Sequence, residues 1–183
     1  MDAFSASLMA DKREIIFAPT VYKFQTFAQM AEEFKLNERD VVLTNEFIYT
    51  PFMKELGLKC NFVFQEKFGA GEPSEAMIQT MYDAIPYDSY DRVIAVGGGA
   101  IMDLCKLLGC KRPDTVHNLY FKRFPVVHEK DVIAIPTTCG TGSECTNISV
   151  AIVKDEKDGV LTGGETKLTR YRAEETKNGE AFS

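Results

Sequence analysis

The stretches RDVVLTNE, DRVIAVGGG and DVIAIPTT set the apolar residues of the chain back to back, with no alternation of polar and apolar positions. A strand of that kind is buried on both faces, so it belongs inside a sheet that is covered on both sides. The segments between these stretches are spaced for helices. In QTFAQMAEEFKL, Phe27, Met30, Ala31 and Phe34 recur at three- and four-residue steps, the period of one helix face. FIYTPFMKELGL reads as a helix in which Pro51 is tolerable only near the first turn. GEPSEAMIQTMYDAI opens with Pro73 and Glu75 at a helix start, and AIMDLCKLLGC is helical by spacing. PTVYKF and CNFVFQEKFG supply further strands, and KRPDTVHNLYFKRFPVVHEK reads as a polar connection. Strands separated by helices of this length imply right-handed crossovers and a mostly parallel sheet. The expected class is therefore α/β, of the nucleotide-binding type.

Length and charge narrow the partners. With 183 residues the chain holds one ordinary domain, given that domains run to roughly 100–150 residues. Its 21 Lys and Arg against 27 Asp and Glu give a net charge of -6, which argues against nucleic acid and against an anionic membrane surface. A small molecule is the expected partner. No apolar run is long enough to span a bilayer. MDAFSASLMADKREIIF lacks the basic start and apolar core of a signal peptide, so a cytoplasmic location is expected. Five scattered cysteines with no Cys-x-x-Cys pair fit reduced, mostly buried thiols.

Two stretches carry chemistry. In VIAVGGGAIMDLCK a strand runs into Gly97, Gly98 and Gly99 and then into a helix. Missing Cβ atoms let the backbone approach a ligand, and the helix start turns free N–H groups on the same spot. That suits a pyrophosphate. Gly99, Asp103 and Lys106 share one helix face. The plainer reading is a tight turn with Asp103 and Lys106 as a surface ion pair, since the spacing is neither the dinucleotide fingerprint nor a Walker loop. In IPTTCGTGSECTN a strand delivers Thr137 and Thr138, then Gly140, Thr141, Gly142 and Ser143. Their hydroxyls and backbone N–H groups suit a polar ligand, against the plainer reading of a flexible hydrophilic loop. Two such loops at the carboxyl ends of parallel strands would stand where open α/β sheets bind ligands.

GGGAIMDLCK followed by PTTCGTGSECTN resembles the paired signature of the iron-containing (group III) alcohol dehydrogenases, related in fold to dehydroquinate synthase and glycerol dehydrogenase. Ala100 stands where that family usually has a small polar residue. APTVYKF, VVLTNEFIY and FVFQEKFGAGEPSEAMI are similar to the family's NAD-dependent 4-hydroxybutyrate dehydrogenases, so the resemblance runs from about Ala18 to Val153. It implies a dinucleotide-binding domain over 18–153, preceded by an extension at 1–17. It further implies that Gly97, Gly98 and Gly99 contact the pyrophosphate and that Asp103 lies toward the nicotinamide ribose. Thr137, Thr138 and Thr141 would line the adenosine and phosphate side, and Ser143 is also expected to bind the cofactor. Asn45 would stand where the family commonly has the Asp that selects NAD, which leaves NADP open.

The resemblance implies reversible hydride transfer between an alcohol carbon and NAD, with 4-hydroxybutyrate and succinate semialdehyde as the expected pair. Other alcohols of the family, 1,3-propanediol, butanol or lactaldehyde, are the alternatives, as is a nucleotide-binding fragment without catalysis. The family's divalent metal, usually Fe2+ or Zn2+, is held by one Asp and three His in a C-terminal helical domain. That domain is expected to be absent here, and no catalytic or metal-binding residue is expected in this chain. His117 and His128 read as surface residues. Residues 154–183, rich in charge, Gly and Thr, read as a divergent disordered tail of a truncated or frameshifted chain. A homodimer paired through N-terminal strands is possible on the same resemblance.

Overall fold

A computed structural model describes residues 20–121, 123–153, 156–161 and 166–171, the last two spans by their backbone. The strands are β1 (Val21–Phe24), β2 (Asp40–Thr44), β3 (Asn61–Phe64), β4 (Arg92–Gly97), β5 (Asp131–Pro136), β6 (Ile148–Val153), β7 (Glu156–Leu161) and β8 (Thr166–Tyr171). The helices are α1 (Phe27–Glu33), α2 (Glu46–Phe52), α3 (Glu75–Ala84), α4 (Gly99–Gly109) and α5 (Val116–Tyr120). Six strands pair in the order β1-β8-β5-β4-β2-β3, every pair parallel. β6 and β7 form a separate antiparallel pair.

The unbroken apolar runs are explained by the two cores. Val41, Leu43, Val93, Ala95, Val132 and Ala134 face a core shared with α3, α4 and α5. Their neighbours Val42, Ile94, Val96, Ile133 and Ile135 face the other side, under α1 and α2. Burying one such side chain contributes about 1.5–3 kcal/mol, so a polar substitution on either face is costly. The register of β2 on β4 is pinned at its first rung, where Asp40 lies opposite Arg92. The Arg92 guanidinium donates to both carboxylate oxygens of Asp40 at 2.7 and 2.8 Å. Hydroxyls set three helix starts: Thr26, Ser74 and Thr115 accept from the backbone N–H of Gln29, Met77 and Asn118.

Several expectations are corrected. Pro51 lies inside α2 near its end, beyond the first turn, and the helix stops one residue later, before a separate 3-10 turn at Lys54–Leu56. The polar connection contains α5, whose Val116, Leu119 and Tyr120 are buried. Its three- and four-residue spacing is hidden among charges. His117 and His128 are half-buried, the first stacked on Phe121 with ring centroids 4.2 Å apart, the second bridged through its backbone to Cys110.

Within 154–183, expected to lack structure, the backbone forms β7 and β8. β8 enters the sheet between β5 and β1. Backbone pairing along both edges supplies the stabilisation that side-chain periodicity does not signal. The expected extension at 1–17 and the remainder of the tail lie outside the described residues.

Cys60, Cys105 and Cys110 are buried as expected, whereas Cys139 is exposed and Cys145 half-buried. Burial pushes the Cys60 thiol up to about 11 and Cys110 up to about 12, and raises Cys105 well above its ordinary value. At pH 8 a thiol reagent should therefore modify Cys139 first and the three buried thiols only on unfolding. The fold holds those thiols protonated while an unfolded chain ionises them near 9.0, so stability should fall as pH rises above that value. Gly109 closes α4 against β5, and a Cβ there would stand 2.5 Å from Val132 Cγ2. Gly109→Ala should lower stability by about 1–3 kcal/mol, read from urea unfolding.

Candidate functional site

In a parallel sheet all carboxyl ends lie along one edge, and there the chain gathers its polar loops. Thr44 pairs in register with both Phe64 and Val96, and Gly97 with Pro136. The turns starting at Asn45, Gln65, Gly98 and Thr137 are thus neighbours along that edge. β2 and β4 are adjacent, yet the helices that follow them lie on opposite faces: α2 packs in one core and α4 in the other. Loops that part in this way leave a crevice between them, the switch point at which open α/β sheets take ligands.

The two motifs meet at this edge. The Thr137 N–H donates to Gly97 O at 3.0 Å. A Cβ on Gly97 would collide with Ile101 Cγ1 at 2.6 Å, one on Gly98 would stand 3.3 Å from Thr138 Oγ1, and one on Gly99 3.3 Å from Thr141 Cγ2. Close packing against α4 therefore requires a glycine at 97, whereas at 98 and 99 a Cβ would crowd the threonine loop by only a few tenths of an ångström. No side chain caps the start of α4 at Gly98, so the N–H groups of its first turn remain available to an anion. Gly142, at φ 63°, turns the second loop into the short helix Ser143–Cys145.

What fastens the loop is a buried network on α4. The residue Lys106 is 2% exposed and Asp103 9%. The three N–H protons of Lys106 Nζ are shared among four acceptors: Asp103 Oδ1 at 3.0 Å, Ser143 Oγ at 2.8 Å, Thr146 Oγ1 at 3.2 Å and Ile148 O at 2.7 Å. Ser143 Oγ donates onward to Asp103 Oδ1 at 2.6 Å. The other carboxylate oxygen accepts from Val150 N at 3.2 Å, and the Asp103 carbonyl accepts from Ser149 Oγ at 2.9 Å. Burial lowers the pKa of Lys106, opposed but not cancelled by the Asp103 charge and hydrogen bond. The pair is thus not a surface ion pair. α4 is buried almost all round, and the sequence pattern shows the shared face but not what covers it.

Beside this network opens a cleft of about 430 Å³ lined by Gly99, Ala100, Asp103, Thr141, Ser143 and Thr146, with Glu72, Pro73, Ile148 and Val150 on its other walls. Pro73 O accepts from Ile152 N at 2.8 Å, which ties that rim to β6. Of the residues expected at the site, Gly99, Asp103, Thr141 and Ser143 line the cleft. Gly97, Gly98, Thr137 and Thr138 form the adjoining strand ends. Asn45 stands apart at the end of β2, where its Nδ2 donates to Glu66 Oε1 at 3.0 Å. Sequence reasoning assigns no site role to Thr146, although it lies within the second motif, nor to the Glu72–Pro73 rim, Ser149 or Val150, the last two of which lie in no motif. Among the described residues no group of three or more His, Cys, Asp or Glu side chains is placed to hold a metal ion, and no helix is long and apolar enough to cross a membrane.

Lys106→Met would leave the Asp103 carboxylate buried without its cation. It should destabilise the protein by about 3–5 kcal/mol, and adding Asp103→Asn should recover part of that loss in urea unfolding.

Comparisons with known proteins identify the family and the fold. The sequence model of the family described as iron-containing alcohol dehydrogenase matches residues 18–169, beyond Val153 and through most of β8. The 4-hydroxybutyrate dehydrogenase of Clostridium kluyveri is 47% identical over 137 residues, which are 75% of this chain and 37% of that protein. An iron-containing alcohol dehydrogenase from Thermotoga maritima superposes with TM-score 0.69 at 22% identity, over 86% of this chain and 47% of that one. Sulfoacetaldehyde reductase from Bifidobacterium kashiwanohense, solved in complex with NAD+, gives TM-score 0.66 at 21% identity, over 84% and 44%. The chain spans less than half the length of each of these proteins.

Proposed function

We propose, from the premise that this chain belongs to the iron-containing alcohol dehydrogenase family, that it forms the dinucleotide-holding part of an NAD(H)-linked oxidoreductase. The observation that carries the reading is the meeting of the Gly97–Gly99 turn with the Thr137–Ser143 loop beside the switch crevice. The N–H groups at the start of α4 hold the pyrophosphate, a role that needs no cation at the surface. Thr138 and Thr141 present hydroxyls along it. The nicotinamide half of the cofactor extends into the cleft beside Asp103 and Ser143, whose positions the Lys106 network fixes.

When bound, NAD+ accepts the hydride that leaves an alcohol carbon, and NADH returns it to a carbonyl. For the whole protein the substrate pair is 4-hydroxybutyrate and succinate semialdehyde, supported by the 47% identity to a 4-hydroxybutyrate dehydrogenase. The chain's own residues bind and orient the cofactor. They do not fit the divalent metal of the family, since no donor cluster is present among the described residues. Turnover is accordingly assigned to the whole protein, and this chain alone binds without catalysis.

Titration with NADH, followed by the rise in nucleotide fluorescence, should show saturable one-to-one binding. Gly99→Val, which pushes a side chain onto Thr141 at the mouth of the cleft, should weaken that binding at least about tenfold. Absence of binding by the unaltered chain contradicts the reading. With Fe2+ or Zn2+ and succinate semialdehyde the chain alone should consume no NADH above background. Measurable turnover would overturn the assignment of catalysis to the whole protein.

A further inference from the structure

We infer that Glu66, rather than Asn45 just after β2, supplies the carboxylate that selects NAD(H) over NADP(H). The inference rests on the dinucleotide reading above and names a residue which that reading leaves unassigned.

Selection between the two cofactors is made at the adenosine ribose. A carboxylate accepts hydrogen bonds from the free ribose hydroxyls and repels the phosphate that replaces one of them in NADP. A neutral amide can accept such a bond but repels nothing. At the end of β2 the chain carries Asn45, an amide, so the charge has to come from elsewhere or the discrimination is lost.

Glu66 brings a charge to the same spot. It follows Gln65 at the carboxyl end of β3, the strand next to β2 in the sheet. Its Oε1 accepts from Asn45 Nδ2 at 3.0 Å and from the backbone N–H of Glu46 at 3.1 Å. Its Oε2 makes no hydrogen bond among the described residues, and the side chain is exposed. One oxygen is therefore anchored while the other stays open to a ligand, a pre-oriented acceptor that loses little freedom on binding. Gln65, buried beside it, donates through Nε2 to Gly71 O at 3.1 Å and so links this strand end to the rim at Glu72 and Pro73.

The placement fits the path of the cofactor. Neighbouring strands lie about 4.8 Å apart, so Asn45 stands one strand spacing from the Gly97 turn and Glu66 two. With the pyrophosphate at the start of α4, the ribose on its adenosine side falls at the β2 and β3 ends, across the switch crevice. Lys67, the adjacent cation, lies over the Phe64 ring at 5.3 Å from its centroid and does not pair with Glu66. It is the group that would receive a ribose phosphate if the selection ran the other way.

Helix capping alone would also explain the Oε1 contacts, and Glu66→Gln separates the two roles. Gln keeps an Oε1 acceptor for Asn45 and Glu46 and removes only the charge. NADH and NADPH are titrated by fluorescence against the unaltered chain, Glu66→Gln and the double variant Asn45→Asp with Glu66→Gln, with far-UV circular dichroism on each. The unaltered chain should prefer NADH by at least about tenfold, and Glu66→Gln should lower NADH affinity about five- to tenfold while leaving NADPH unchanged or tighter. The double variant, which puts a carboxylate at position 45, should restore the preference. Glu66→Gln with an unchanged NADH to NADPH ratio overturns the assignment and leaves the dinucleotide reading standing. A preference of the unaltered chain for NADPH overturns it without any variant. Binding of neither nucleotide by that chain removes the dinucleotide reading, and the role of Glu66 with it.

Discussion

An ammonium with almost no access to water, Lys106, holds the functional edge of this molecule together. Removing a lysine from solvent is expensive, and the attraction to Asp103 offsets that cost only because the remaining donors and acceptors are also satisfied. Ser143, Thr146, Ile148 and Val150 complete the set. All four belong to the loop or strand that follows β5, and both charges belong to the helix that follows β4. The network therefore sets where the second loop stands over the first. Loosening it would free the threonines from the glycine turn before it disturbed either core.

The sheet supplies the other half of the geometry. Parallel pairing brings the ends of β2, β3, β4 and β5 to one edge, and the two cores send the loops after β2 and β4 to opposite faces. A crevice at that place is a consequence of topology rather than of any one side chain. Side chains then decide what enters. Small residues at Gly98, Gly99 and Ala100 leave backbone N–H groups approachable, and the cleft beside them sets hydroxyls and the buried Asp103 carboxylate against a wall of Glu72, Pro73, Ile148 and Val150. Under the proposed function these features order a cofactor from its adenosine end, near Asn45 and Glu66, to its reactive end beside Asp103.

Much of this geometry is legible in the order of the residues alone. Runs such as VIAV and VIAI admit no face open to water, and they lie at the centre of the sheet with both faces covered. Both loops stand at carboxyl ends, as their order after apolar strands implies. Legibility fails where a residue's state depends on what covers it. Asp103 and Lys106 look alike in sequence whether they lie on a surface helix or under β6. α5 is masked because its three buried residues are interspersed with polar ones, and β8 because a strand held by backbone pairing on both edges needs no apolar pattern. Glu66 is invisible for a similar reason. Nothing in QEK announces a ligand until the strand order places it against Asn45.

The central claim is that the glycine turn and the threonine loop, tied by Lys106, act as one dinucleotide site. Hydrogen–deuterium exchange of the chain with and without saturating NADH tests it most directly. The account predicts that amides at the start of α4, Gly99 to Ile101, and those of the loop from Thr138 to Ser143 slow together on NADH binding. Slowing in only one of the two segments, or in neither while NADH is bound, would contradict it.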